Sequence, residues 1–357
     1  KLSGLWIMAY TTIDLPTDYF NTKLWTGDGN TTQAISGIGH QPDFVWIKNR
    51  NLSSAPNLLF DSVRGANKAL VANNDNAEAS VSGYLNSFDS DGFTVGNDGA
   101  VNGSGDTYVS WNWLAGGSAS SNSNGSITSN VSASTTSGFS IVSYTGNATN
   151  GATVGHGLGA VPDMLIGKDL SDGSGWGIWH KNLSGATYRL AFTTDAQSND
   201  SFLFGGSGNT LPTSTVFTLG SGGGLNGSNA NIVYAFTSIK GFSSFGSYVG
   251  NGSTDGTFVY TGFLPAFTII KRITDATEGW IIQDNKTGTI NPIDNFLGAN
   301  SSNPTSTTTN AHIDYLSNGF KLRHNDTRGN TTGKTYIYMA FAENPFVTST
   351  GIPTTAR

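Results

Sequence analysis

The chain has 357 residues, 47 of them glycine, with 12% charged residues, no cysteine and a formal net charge of −6. The missing cysteines exclude a disulfide framework and thiolate chemistry. The acidic balance argues against nucleic acid as a partner, because phosphate binding needs a basic face, and no run of about 18 apolar residues offers a membrane span. Loops rich in Gly, Ser, Thr and Asn alternate with short apolar and aromatic runs, the pattern of an all-β chain.

Residues 1–18 read as an N-terminal arm. Its first residues are too short for a secretory signal, and Met8-Ala9-Tyr10 looks like a natural beginning, so residues 1–7 are expected to be an upstream extension. Asp14-Leu15-Pro16-Thr17-Asp18 is extended or turn-like and suited to docking on a neighbour.

From there the chain repeats itself. Pro42-Asp43-Phe44-Val45-Trp46-Ile47-Lys48 recurs as Pro162-Asp163-Met164-Leu165-Ile166-Gly167-Lys168 and as Pro265-Ala266-Phe267-Thr268-Ile269-Ile270-Lys271. Proline cannot donate to a ladder and suits the residue before a strand; the apolar run after it suits a well-buried strand. The flanks match too. Leu59-Phe60-Asp61 corresponds to Ile178-Trp179-His180 and Ile282-Gln283-Asp284, and each copy closes on an aromatic strand ending at Trp113, Phe236 or Phe341. Proline and last aromatic are roughly 70 to 76 residues apart in each copy. A threefold internal repeat follows, and the expected fold is three tandem antiparallel β-sandwiches of jelly-roll or concanavalin-like type. They span residues 19–117, 138–240 and 241–346.

Within the first unit, Asp89-Ser90-Asp91-Gly92 marks a hairpin, repeated in the third as Leu316-Ser317-Asn318-Gly319 and lacking its glycine in the second. The oxygens of Asp89 and Asp91 could suit calcium, but what recurs is the turn and not the charge, so a structural turn is expected. Residues 118–137 contain almost nothing apolar and are expected to form an extended surface linker. Residues 240–245 join the last two units directly, and residues 347–357 form a tail.

The chemistry-bearing residues are sparse. The three glutamates, Glu78, Glu278 and Glu343, stand in unrelated contexts, so the paired carboxylates of a glycosidase are not evident. The five histidines lack metal-ligand spacing, and no cofactor is expected. The glycine clusters near Gly205 and Gly222 lack the lysine and helix of a phosphate cradle. Candidates for ligand contact are Trp176 and Trp179, which alternation sends to opposite faces of a strand so that one ring could stack on a sugar, and Asn73, Asn74 and Asp75 in an asparagine-rich loop. Core packing of both tryptophans is the competing reading. Two recurring pairs, Lys48 with Asp61 and Lys271 with Asp284, lie 13 residues apart across a loop, and ion pairs are expected there. With His180 in place of the acid, Lys168 should turn to Asp169 or Asp172.

Residues 42–48, 59–65, 88–93 and 338–346 resemble a repeat family of virion proteins from tailed phages of marine bacteria, residues 340–346 most specifically, and the resemblance covers nearly the whole chain. It implies concanavalin-type units on a particle surface, other virion proteins as partners, and, by analogy with phage fibres, a homotrimer. It brings no catalytic residues. The second unit departs most, at Gly167 and His180. The expected function is a structural protein of the virion surface (tail, fibre or capsid) that contributes to host attachment. The alternative is an adhesin for host glycan or envelope protein, with a polysaccharide-degrading enzyme a distant third.

Overall fold

The computed structural model describes residues 9–354 except 276–277, 289 and 309–310. The expected extension at residues 1–7 and the last residues of the tail lie outside the described residues. The fold is all-β and antiparallel, built around three six-stranded sheets.

In the first lobe the strand order is Phe20–Thr26, Thr107–Trp113, Phe44–Asn49, Asn57–Asp61, Lys68–Val71, Ala79–Ser80. The third lobe repeats it: Ser243–Val249, Thr335–Pro345, Phe263–Arg272, Ile281–Asp284, Asn295–Gly298, Ser306–Thr307. The second keeps the counterparts of the first four strands, Phe139–Thr145, Ala230–Phe236, Met164–Asp169 and Gly177–His180, and adds Ser120–Asn122 and Ser129–Ser134 beside the first of them. Those two strands come from the segment expected to be a linker. Ser129–Ser134 pairs along its length with Phe139–Thr145, and Val131 is buried. The boundary therefore moves: residues 118–137 belong to the second lobe. Composition misled here because a strand at a sheet edge needs backbone pairing more than apolar side chains.

Each large sheet is closed by a small one into a sandwich. In the first lobe this is Gln33–Ser36, Gly92–Val95 and Leu85–Asp89, in the third Phe258–Tyr260, Gly319–Leu322 and Ile313–Leu316, in the second only Thr153–Gly155 with Val216–Thr218. The hairpins Asp89↔Gly92 and Leu316↔Gly319 form as expected. Their glycines also serve a close approach: a Cβ on Gly92 would lie 1.9 Å from the Ile35 carbonyl oxygen, and one on Gly319 2.1 Å from that of Val259. Asp91 spends its carboxylate on the backbone N–H groups of Gly37 and Gly39. Pro42 and Pro162 precede their strands, but Pro265 lies inside Phe263–Arg272, where the pairing register shifts on both sides of it. A bulge tolerates the missing N–H.

The central strands are buried on both faces. Along Phe44–Asn49, Val45 and Ile47 pack into the sandwich of the first lobe with Leu58, Phe60 and Phe93. Phe44 and Trp46 point the other way, into a core shared by all three lobes. There Phe20 stacks on Phe341 at 4.9 Å, Phe44 meets Tyr234 at 4.4 Å, and Trp111 meets Phe267 at 5.5 Å between ring centroids. Phe192 touches Trp46, Trp176 and Trp280, one tryptophan from each lobe, at 5.4–5.5 Å. The lobes are therefore not beads on a string; each buries the back of its large sheet against the other two. In the second lobe Gly167 breaks the apolar pattern, and the leucine side chain of Leu225 fills the space its Cβ would take, at 2.7 Å.

The arm docks on the third lobe, as its composition suggested. Tyr10 donates to the Gly262 carbonyl at 2.7 Å, and Asp14 accepts from the backbone N–H of Ser349 at 2.6 Å.

Candidate functional site

The lobes meet through a cycle of contacts made by equivalent positions. At the start of the equivalent strands Asn57–Asp61, Gly177–His180 and Ile281–Asp284, a side-chain N–H crosses to a backbone carbonyl of another lobe. Trp176 donates to Val71 at 3.0 Å, Trp280 to Ala191 at 2.8 Å and Asn57 to Gly298 at 3.1 Å. The tryptophans singled out for sugar stacking thus have other roles. Trp176 and Trp179 do lie on opposite faces, but both faces are covered, and they are 1% and 3% exposed. Trp176 ties the second lobe to the first, while Trp179 donates to Gly185 within its own lobe.

The expected lysine–aspartate pairs do not form. The register sets Lys48 opposite Asn57 and Asp61 opposite Phe44, so the two charges are four residues apart along the strands, roughly 13 Å. Lys48 instead donates to the carbonyls of Ala55 at 2.8 Å and Ser302 at 3.2 Å, and Lys271 to those of Glu278 at 2.7 Å and Thr194 at 3.2 Å. Both reach into the neighbouring lobe. Burial lowers the pKa of each to about 8. Lys168 turns to Asp169 and Asp172 as expected, but to their backbone carbonyls.

The acids face the neighbouring lobes as well. Asp61 accepts from the Tyr234 hydroxyl at 2.7 Å and pairs with buried Arg64 at 2.5 Å. Asp284 accepts from Trp111 Nε1 at 3.0 Å, and burial raises its pKa. Tyr234, Trp111 and Met339 occupy one position of the repeat, so the residue opposite Met339 meets no side-chain donor. That residue is His180, buried; its Nδ1 accepts the backbone N–H of Asn182 at 3.1 Å, and its Nε2 has no side-chain partner and lies beside the backbone of Tyr338.

Concave surface appears where these junctions reach solvent. The larger cleft, about 750 Å³, lies between the loop holding Asp75 in the first lobe and a wall from the second lobe. That wall carries Arg189, Asp195, Asp200, Phe202 and the glycine run 222–224. Arg189 holds Asp200 at 2.5 Å, and Asp200 accepts the backbone N–H of Phe202 at 3.0 Å, which fixes the base of an aromatic ring that is 60% exposed. Thr193 donates to Asp195 at 2.9 Å. The Asp75 carboxylate accepts no hydrogen bond from the described residues, and the buried ammonium of Lys168 lies near enough to feel its charge. Of the asparagine-rich loop, only Asp75 lines the cleft. Asn73 accepts the backbone N–H of Asn57 at 2.7 Å and Asn74 that of Asn76 at 3.0 Å, both structural duties.

A second cleft, about 350 Å³, lies at the equivalent junction between the second and third lobes. Trp280, Phe296 and Arg328 line it, with the Arg328 guanidinium 5.4 Å from the centre of the Phe296 ring. Its lining among the described residues includes no acid. Sequence reading missed Arg189, Asp195, Asp200 and Phe202. No local signal set them apart: Phe202 stands in the run Phe202-Leu203-Phe204, which reads as core.

Residues 15–345 match a family described as a domain of unknown function (DUF7483). The chain belongs to this family. No curated protein matches it.

Proposed function

We propose that this member of the DUF7483 family is a structural, non-catalytic module of a phage particle surface that contributes to host attachment. The observation that carries the reading is the shared core. Three sandwiches close on one another through Phe192 and the cycle of inter-lobe hydrogen bonds, so each lobe is braced by two others while its loops face outward. Such bracing suits a display scaffold exposed to proteases. It also supplies within one chain the threefold packing that phage fibres build from three chains, which favours one chain as the working unit over a homotrimer.

The adhesin reading is favoured by the cleft at the first junction, with its exposed ring and carboxylates. In neither reading do the acids act as a glycosidase pair: Asp200 is committed to Arg189 and Asp195 is held by Thr193. The test is immunogold labelling of purified particles with antibodies against the folded chain. Gold on the tail or shell is the expected result; particles that carry none of the chain would sink the proposal.

A further inference from the structure

We propose that the cleft between the first and second lobes binds neutral polysaccharide, with Phe202 as the stacking surface and Asp75 and Asp195 as acceptors for sugar hydroxyls. The inference deepens the attachment reading and takes its biological setting from it.

Four observations converge on this ligand chemistry. The cleft, at about 750 Å³, has room for several sugar rings. Phe202 exposes 60% of its surface beside it. A flat apolar ring next to fixed polar groups matches a saccharide, which presents one C–H face and a rim of hydroxyls. The ring is also positioned, because Asp200 accepts its backbone N–H while gripped by Arg189.

The acceptors come next. The carboxylate of Asp75 takes no hydrogen bond from the described residues, so a ligand hydroxyl meets an open acceptor. The fourth feature is the glycine run. Gly222, Gly223 and Gly224 have φ of +122°, +65° and +53°, and a Cβ on Gly223 would meet nothing within 4 Å. Side-chain-free backbone there lets a ligand approach the wall closely.

Charge selects the class. Three carboxylates line the cleft against one guanidinium that is already paired. Sulfated or carboxylated polysaccharides would be repelled. A bare metal site is disfavoured, since no group of three or more acidic or histidine side chains among the described residues is close enough to hold an ion. The equivalent cleft between the second and third lobes sharpens the point. It keeps the location but loses the acids, and Arg328 covers its aromatic ring. The repeat therefore provides the hollow, and substitutions in the second lobe provide the chemistry.

The experiment is affinity electrophoresis of the full chain in native gels cast with laminarin, mannan or dextran, against gels with alginate or carrageenan. Retardation in at least one neutral gel and none in the anionic gels is expected. Phe202→Ala should raise the apparent Kd about tenfold, the loss of one stacking contact. Asp75→Asn should raise it several-fold, and Phe258→Ala, on an exposed ring of the third lobe, should leave it unchanged. Melting temperatures of all three variants should match the parent, since the side chains altered are exposed. Absence of retardation in every neutral gel overturns the proposal. So does retardation that Phe202→Ala leaves intact, that EDTA abolishes, or that is stronger in anionic gels. A chain absent from particles that still binds a neutral glycan would refute the particle reading alone; a particle-borne chain that binds none would refute only the cleft.

Discussion

Asp61 and His180 occupy the same place in their lobes and face opposite circumstances. Asp61 looks across the first junction at the hydroxyl of Tyr234 and has Arg64 beside it. His180 looks across the third-lobe junction at the position of Met339, which has nothing to donate, and is held neutral by burial, with a pKa lowered to about 3. A carboxylate at 180 would keep the backbone N–H of Asn182 but lack the side-chain donor that Tyr234 gives Asp61 and Trp111 gives Asp284, so its burial would be less well offset. The departure of the second unit from the repeat is thus explained by the third lobe. In a closed ring of repeats, a substitution in one unit is compensated in its neighbour.

Breaking the charged side of this comparison should have the largest effect. Asp61→Ala leaves the Tyr234 hydroxyl without its acceptor and the buried Arg64 guanidinium with Glu78, at 3.2 Å, as its only carboxylate. A loss near the upper end of about 3–5 kcal/mol is expected, read by denaturant unfolding. A loss below about 1 kcal/mol would mean that Glu78, already paired with Arg64, suffices to hold the guanidinium.

The apolar side can be tested where the lobes meet. Phe192 corresponds to Ala72 and Ala299, so one ring and two methyl groups share the space between three tryptophans. Phe192→Ala should cost about 3–4 kcal/mol through the cavity it leaves. If the three positions are spatially equivalent, adding Ala72→Phe should recover much of that loss. A double variant less stable than the single one would show that the cycle is uneven at this point.

Acid acts on the neutral side. His180 has a folded pKa below its unfolded value of 6.5, so its contribution is fully present above pH 6.5 and is lost as pH falls toward about 3. Between pH 7 and pH 5 the chain should lose roughly 2 kcal/mol from this group. His180→Gln should remove no more than about half of that slope in thermal melts, because His324, whose pKa burial lowers to about 4, loses nearly as much over the same window, and burial also lowers the pKa of His40 and His156. An unchanged slope would place the acid sensitivity elsewhere.

The smallest effect concerns the hydrogen-bond cycle. Trp176→Phe keeps most of the ring but leaves the Val71 carbonyl without its indole donor, and about 1 kcal/mol should be lost.

Much of the local structure was readable in the residues. The threefold recurrence of a proline, an apolar run and a lysine located one interior strand of each large sheet. Alternation correctly separated Trp176 from Trp179, and the Asp-Gly and Asn-Gly turns located two hairpins. All of these depend on neighbours a few residues away, where side-chain period and turn chemistry decide the outcome. What faces a strand's second side is not local. The run from Phe44 to Lys48 announces burial on both faces, but the same letters would serve a strand buried under its own sandwich or under a different lobe. Only the packing of three large sheets back to back decides that Lys48 reaches Ser302, that Asp61 answers Tyr234, and that Trp176 is sealed in a junction. The cleft arises the same way. Asp75 and Phe202 are 127 positions apart in the chain, and they become neighbours because burying three apolar sheet faces against one another removes more surface from water than three separate domains could.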